Sequence, residues 1–212
     1  MPEPEILHKT DQWVVVNKPA GWLSIPGRSQ APVLTDYVRE KCGDIWVTHR
    51  LDVETSGVIL FARSEDAHRQ ANQWFQKHLA KKLYHCLATG NPALPVFKIN
   101  APIDDSPSVT QVEVKERFKE AASEVFLGQV RLQTGRRHQI RIHLSSLGYP
   151  LLGDVKYSGR KDFAGTPGFQ ELKVPRVALH ASSLELPSGE KFEAPLPEDF
   201  QSWLGLLRKS TS

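Results

Sequence analysis

The stretch HRLDVETSGVILFAR, residues 49–63, sets Arg50 and Asp52 on either side of a lone leucine, between the apolar runs IWV and VILF. An aspartate so placed has a plain use, closing a hairpin turn with help from Thr55, Ser56 and Gly57. It also has a chemical one. The TSG triplet already supplies turn-forming residues, and Asp52 follows Leu51 at the edge of an apolar strand, where its carboxylate would be partly desolvated. Such a group stays charged at neutral pH only beside a cation, and in that state it can add to an electrophilic carbon or remove a proton.

A cation is on offer in TGRRHQIR, residues 134–141. On a helix, Arg141 lies beside Leu144 at the border of the apolar stripe, half dried and in want of a carboxylate. Arg136 and Arg137 fall near the helix start, where backbone N–H groups favour phosphate. With Arg131 they place four arginines within eleven residues, the best nucleic-acid patch in the chain; the plainer reading is a solvated helix face. Tyr84, in KKLYHCLATG, sits on a strand directly after a basic helix end. It either packs, or offers a phenol that stacks on a base or moves a proton. The eight histidines do not suggest metal: His138 and His143 are five apart, His49 and His180 are isolated, and no HExxH occurs. Nucleophile-elbow, Walker and dinucleotide motifs are likewise missing, which removes the hydrolase, NTPase and oxidoreductase readings.

The elements that must position these residues are mostly strands. Short β-type runs occur at 13–16, 45–48, 58–62, 83–88, 109–114, 124–133 and 177–186. Three helices are expected among them. One covers 32–43 and stops at Gly43. A second covers 64–82, capped by Ser64, burying Ala67, Ala71 and Trp74 or Phe75, and closing on Lys81 and Lys82 as the helix dipole favours. The third follows Ile140, His143, Leu144 and Leu147, and ends at Gly148 and Pro150. The Gly- and Pro-rich segment 153–175 reads as a long surface loop. Strands outnumber helices without regular alternation, so the fold class is α+β with a mixed or largely antiparallel sheet.

The chain has 212 residues and a formal net charge of +3, too small to argue for a polyanion partner except through a local patch. No apolar run is long enough for a membrane span, and the N-terminus lacks the segments of a signal peptide. Cys42 and Cys86 form no disulfide framework, which points to a cytoplasmic protein.

The blocks VVVNKPAGWLSIPGR, HRLDVETSGVILFAR, KKLYHCLATG, LQTGRRHQIRIHLSSLGYPLLGD and VALHASSLELPSGEKFEAPLPEDF occur in that order and cover most of residues 11–200. They resemble the successive signature blocks of the RluA family of RNA pseudouridine synthases. The resemblance implies an α+β catalytic fold, a mixed, mostly antiparallel bent sheet flanked by helices with a central cleft. It implies one catalytic domain over 1–212, with a core of about 11–200, a tail at 201–212 and no N-terminal S4 domain. By the same resemblance Asp52 falls on the catalytic aspartate, Tyr84 on the tyrosine that packs against the target base, and Arg141 on the basic residue that pairs with the aspartate. Arg50 matches the arginine that fills the gap left by the extruded base, and Arg136, Arg137 and His138 are expected to bind RNA. Neither cofactor nor metal is implied. The expected partner is ribosomal RNA, transfer RNA or both, met by a monomer. Two rivals remain: a base-excising glycosidase, and a catalytically idle RNA-binding or chaperone module.

Overall fold

The computed structural model describes residues 2–120, 123–161, 169 and 171–211. Among them the chain forms ten strands and four helices. In order these are β1 (Glu5–Lys9), β2 (Trp13–Lys18), α1 (Leu34–Cys42), β3 (Trp46–Val47), β4 (Ser56–Ala62), α2 (Glu65–Gln76), β5 (Lys81–Thr89), β6 (Val96–Asn100), β7 (Val109–Glu120), β8 (Ser123–Leu132), α3 (Gln139–Ser146), β9 (Leu179–Glu185), β10 (Lys191–Glu193) and α4 (Glu198–Thr211). Two compact units result, one from the residues up to Lys82 with Ala181–Pro195, the other from Leu83–His180 with the residues from Leu196 onward.

In the first unit the strand order is β1-β2-β4-β9, with β3 also on β4 and β10 on β9. The pairs β1–β2, β2–β4, β3–β4 and β9–β10 are antiparallel. Strand β4 is the spine: all seven residues of SGVILFA are buried, as a continuous apolar run demands of a strand covered on both faces. Helix α2 lays Ala67 and Ala71 into a core with Trp13, Val15, Val58, Leu60 and Leu184. Its start follows the sequence, since Ser64 Oγ accepts the Ala67 N–H at 3.2 Å, a cap worth about 1 kcal/mol. Its end does not. The helix stops at Gln76, His78 turns into the left-handed region at φ 57°, and Leu79 N–H closes back on Trp74 O at 2.8 Å. Lys81 and Lys82 therefore open β5 instead of closing a helix. The apolar run LYHCLA carries its strand preference backwards into them, and Lys81 pairs with Glu185 at 2.6 Å.

In the second unit the order is β5-β8-β7-β6, with β6–β7 and β7–β8 antiparallel. Here the stretch 201–212, expected as a tail, belongs almost wholly to α4, and Phe200, Trp203, Leu204 and Leu207 are buried in the core with Phe118, Val125 and Leu127. At ~1.5–3 kcal/mol for each buried large side chain, these four anchor the helix firmly. The segment 153–175 also departs from a surface loop where it is described; residues 162–168 and 170 lie outside the described residues. Leu172 and Val174 join the same core, and Ala178 N–H, Leu152 O, Leu152 N–H and Leu87 O form a run of backbone bonds beside β5. Both cysteines are buried, and burial pushes the Cys86 thiol up to about 12. No helix among the described residues is long and apolar enough to cross a membrane.

Candidate active site

The turn that carries Asp52 is held from below by residues 18–24. Ser24 Oγ donates to Leu51 O at 2.7 Å and accepts Leu51 N–H at 3.0 Å, so one buried hydroxyl satisfies both ends of that residue's backbone. Gly21 N–H bonds Val53 O at 2.7 Å. The fully buried Lys18 ammonium donates to the carbonyls of Pro19, Trp22 and Val53 at 3.0, 2.9 and 3.3 Å, which is how a charge can be kept inside. Thr55 N–H then closes the turn on Asp52 O at 3.1 Å. Both readings of Asp52 thus coexist: its carbonyl closes a turn, and its side chain is half-buried, next to buried Leu51 and exposed Arg50. Gly57 is required by its backbone and by its neighbour as well as by the turn. Its φ is 114°, and a Cβ there would stand 2.1 Å from Ala181 O.

His49 supports the same turn from the side of β4. Its Nε2 accepts Leu60 N–H at 3.1 Å and its ring packs at a tilt against Phe75, with centroids 4.8 Å apart. Burial, helped by the nearby Lys82 charge, lowers its pKa from 6.5 to about 3, so the ring is neutral. A His lowered on folding stabilises fully above its unfolded pKa and loses that contribution as pH falls from 6.5 toward 3. We expect His49 to account for about 2–4 kcal/mol of lost stability over that window. Urea denaturation from pH 7 to 4 should show a flatter decline for His49→Gln than for the wild type; parallel curves would contradict the assignment.

Tyr84 lies on β5 and is buried to 8% exposure, deeper than a stacking residue at an open surface would be. Alternation along the strand puts Lys82 on the same face. Burial lowers that ammonium to about 8, a shift invisible while Lys82 was read as a helix-end cation.

Helix α3 forms over the predicted segment, with Ile140, His143 and Leu144 buried; Leu147, expected on that stripe, is exposed at the helix end. Much of TGRRHQIRIH turns out to be scaffold. Thr134 Oγ1 donates to Gln139 Oε1 at 2.7 Å and accepts Val109 N–H at 3.0 Å. Gln139 Nε2 donates to Val109 O and to Thr110 Oγ1, both at 3.0 Å. The His143 ring sits between Thr110 Oγ1 at 2.8 Å and Ala101 O at 3.0 Å, and burial lowers its pKa. With Nε2–H donating to the carbonyl, Nδ1 accepts the Thr110 hydroxyl, so a neutral ring satisfies every partner. These bonds bolt α3 to the start of β7.

Arg141 is not half dried but buried, and its Nε and Nη2 meet Asp154 Oδ2 and Oδ1, each at 2.7 Å. Asp154 was hidden from sequence reasoning by the loop-like composition around it; its signal was a Gly-Asp pair directly after the apolar LL. Tyr157, in a 3-10 turn over Val155–Tyr157, lies with its ring centroid 5.2 Å from Arg141 Cζ. Arg136 and Arg137 are exposed. His138 takes a left-handed backbone (φ 54°), and its Nδ1 lies 3.0 Å from Tyr157 Oη. Arg50 and Asp52 thus belong to the first unit, and Tyr84, Arg136, Arg137, His138 and Arg141 to the second, where Tyr157 brings His138 and Arg141 together.

The first unit thus carries a half-buried aspartate on a braced turn, and the second a buried tyrosine and an arginine oriented by a carboxylate. The sequence model of the RNA pseudouridylate synthase family matches residues 12–146, and the chain belongs to that family of isomerases. The dual-specificity RNA pseudouridine synthase RluA of Pasteurella multocida is 33% identical over 221 residues, covering 95% of this chain and 92% of its own. The ribosomal large subunit pseudouridine synthase D of Pseudomonas aeruginosa is 33% identical, over 98% of this chain and 72% of its own. Among solved structures, human RNA pseudouridylate synthase domain containing 4 superposes with a TM-score of 0.79 at 26% identity, covering 96% of this chain and 92% of that one.

Proposed function

We propose that this protein converts uridine to pseudouridine in a stem-loop of ribosomal RNA, transfer RNA or both. It works as a cytoplasmic monomer, with the whole chain serving as one catalytic domain and no metal or organic cofactor. The observation that carries this reading is the family match over residues 12–146, which takes in Asp52, Tyr84 and Arg141 together. The choice of RNA is supported by the relative named as dual-specificity, which matches over nearly the full length of both chains.

The reaction moves no electrons to or from a cofactor. The uridine leaves its stack, because the base must be out of the helix before a protein group can reach it. The Asp52 carboxylate adds to C1′ or removes a sugar proton, with Arg141 as its proposed cationic partner, and the N1–C1′ bond breaks. The detached uracil is held against Tyr84, turns, and forms the C5–C1′ bond as the Asp52–C1′ bond breaks or, on the elimination route, as Asp52 returns the proton to the sugar. The C5 proton then leaves by way of the Tyr84 phenol, and N1 is protonated, so the product has the composition of the substrate. Arg50 fills the place of the extruded base, while Arg136, Arg137 and His138 bind the RNA backbone around it.

Carbodiimide mapping of ribosomal and transfer RNA from cells with and without the gene tests this directly. At least one pseudouridine should vanish on deletion and return with the intact gene. Release of free uracil, with no new pseudouridine, would instead establish the glycosidase.

A further inference from the structure

We infer that Asp154 and Tyr157 are positioning residues for Arg141, the carboxylate fixing the edge of the guanidinium and the ring fixing its face. The inference rests on the proposed catalytic role of Arg141.

The geometry is more specific than packing requires. Asp154 has no exposed side chain and Arg141 is 5% exposed, and the two groups meet as a parallel fork with both bonds at 2.7 Å. A buried ion pair of this kind is weak as a device for stability, because removing both charges from water offsets most of their attraction, and an apolar pair of similar volume would fill the space as well. What the fork supplies is orientation, since two parallel bonds leave a guanidinium little freedom to turn in its own plane. The remaining freedom, tilting of the plane, is met by Tyr157. Its ring lies beneath Arg141 Cζ, its N–H bonds Asp154 O at 3.1 Å, its carbonyl accepts Ser145 Oγ at 2.9 Å, and its hydroxyl reaches His138.

The loop bearing both residues is itself held tightly. Gly159 N–H bonds Asp154 O at 2.7 Å. A Cβ on Gly159 would stand 2.0 Å from Leu151 O, and one on Gly153, at φ 76°, 1.9 Å from Arg176 O. A side chain at either place would push Asp154 out of register with Arg141.

The test uses bulk RNA tritiated at uridine C5, prepared from cells lacking the gene, and follows tritium release over a range of RNA concentrations. Asp154→Asn should lower the saturating rate about a hundredfold, the cost of a cation misplaced by about an ångström, with the half-saturating RNA concentration within about twofold of the wild type. Tyr157→Leu should lower the saturating rate about tenfold, while Tyr157→Phe, which keeps the ring, should lower it by less than about threefold. The Tyr157 pair decides the matter if Asp154→Asn does not fold, as judged by circular dichroism melting. Folded variants with a wild-type saturating rate, or losses confined to half-saturation, would overturn the positioning role while Arg141→Met remains inactive. An active Arg141→Met would take down both this inference and the proposed role of Arg141.

Discussion

Asp52→Asn is expected to bind RNA as the wild type does and to release tritium from C5-labelled uridine at least about a thousandfold more slowly, a loss of roughly 4 kcal/mol in transition-state stabilisation. Asparagine keeps the size of the side chain. The features that shape the turn belong to the backbone and to other residues: Thr55 N–H on the carbonyl of residue 52, Ser24 on Leu51, and Lys18 on Val53. The substitution therefore removes the charge and leaves its support in place. Binding, proposed to rest on phosphates meeting exposed arginines such as Arg136 and Arg137, should be equal or slightly tighter once a negative group is gone. Gel-shift titration beside the tritium assay separates the two effects. Normal release from the variant would remove Asp52 from the mechanism.

The second large effect concerns folding. Gly57→Ala should destabilise the protein by about 4 kcal/mol or more, lowering its melting temperature by roughly 10 °C. Two costs combine there: a left-handed backbone at φ 114°, and a Cβ driven to 2.1 Å from Ala181 O and 2.6 Å from its carbonyl carbon. Gly43→Ala separates them. Gly43, at the end of α1, has φ 79° with nothing within 4 Å of an added Cβ, so its substitution should cost only about 1 kcal/mol. Calorimetric melting of both variants would show the difference, and equal losses would mean that the close approach to Ala181 adds nothing.

Gly57 also shows how far the amino-acid sequence could be read. Its place after Asp52-Val53-Glu54-Thr55-Ser56 marks a turn, but the need for glycine comes from Ala181, more than a hundred residues on, and no local pattern announces that. Strands with continuous apolar or alternating runs, such as β2, β4 and β8, were legible because both faces or one face must be buried whatever the partner. Strand β1, half exposed along EILHK, and the short β10 carry no such pattern and exist through pairing alone. Helix α2 was legible at its Ser64 cap and not at its end, where His78 takes the left-handed place usually given to glycine. At the site, the residues on offer for chemistry were visible as types, whereas their supports were not. Arg141 looked like a border residue in search of an acid. Asp154, thirteen positions later, becomes its partner only once the chain beyond α3 has folded back, a non-local fact that composition cannot carry.

Both native thiols sit inside, and the one on β5 is held far from its reactive thiolate form. Maleimide reagents should therefore pass over the wild-type chain, which makes it a ready background for conjugation without first removing its cysteines. A single Ser202→Cys at an exposed position of α4 would take one dye and report RNA capture by fluorescence anisotropy.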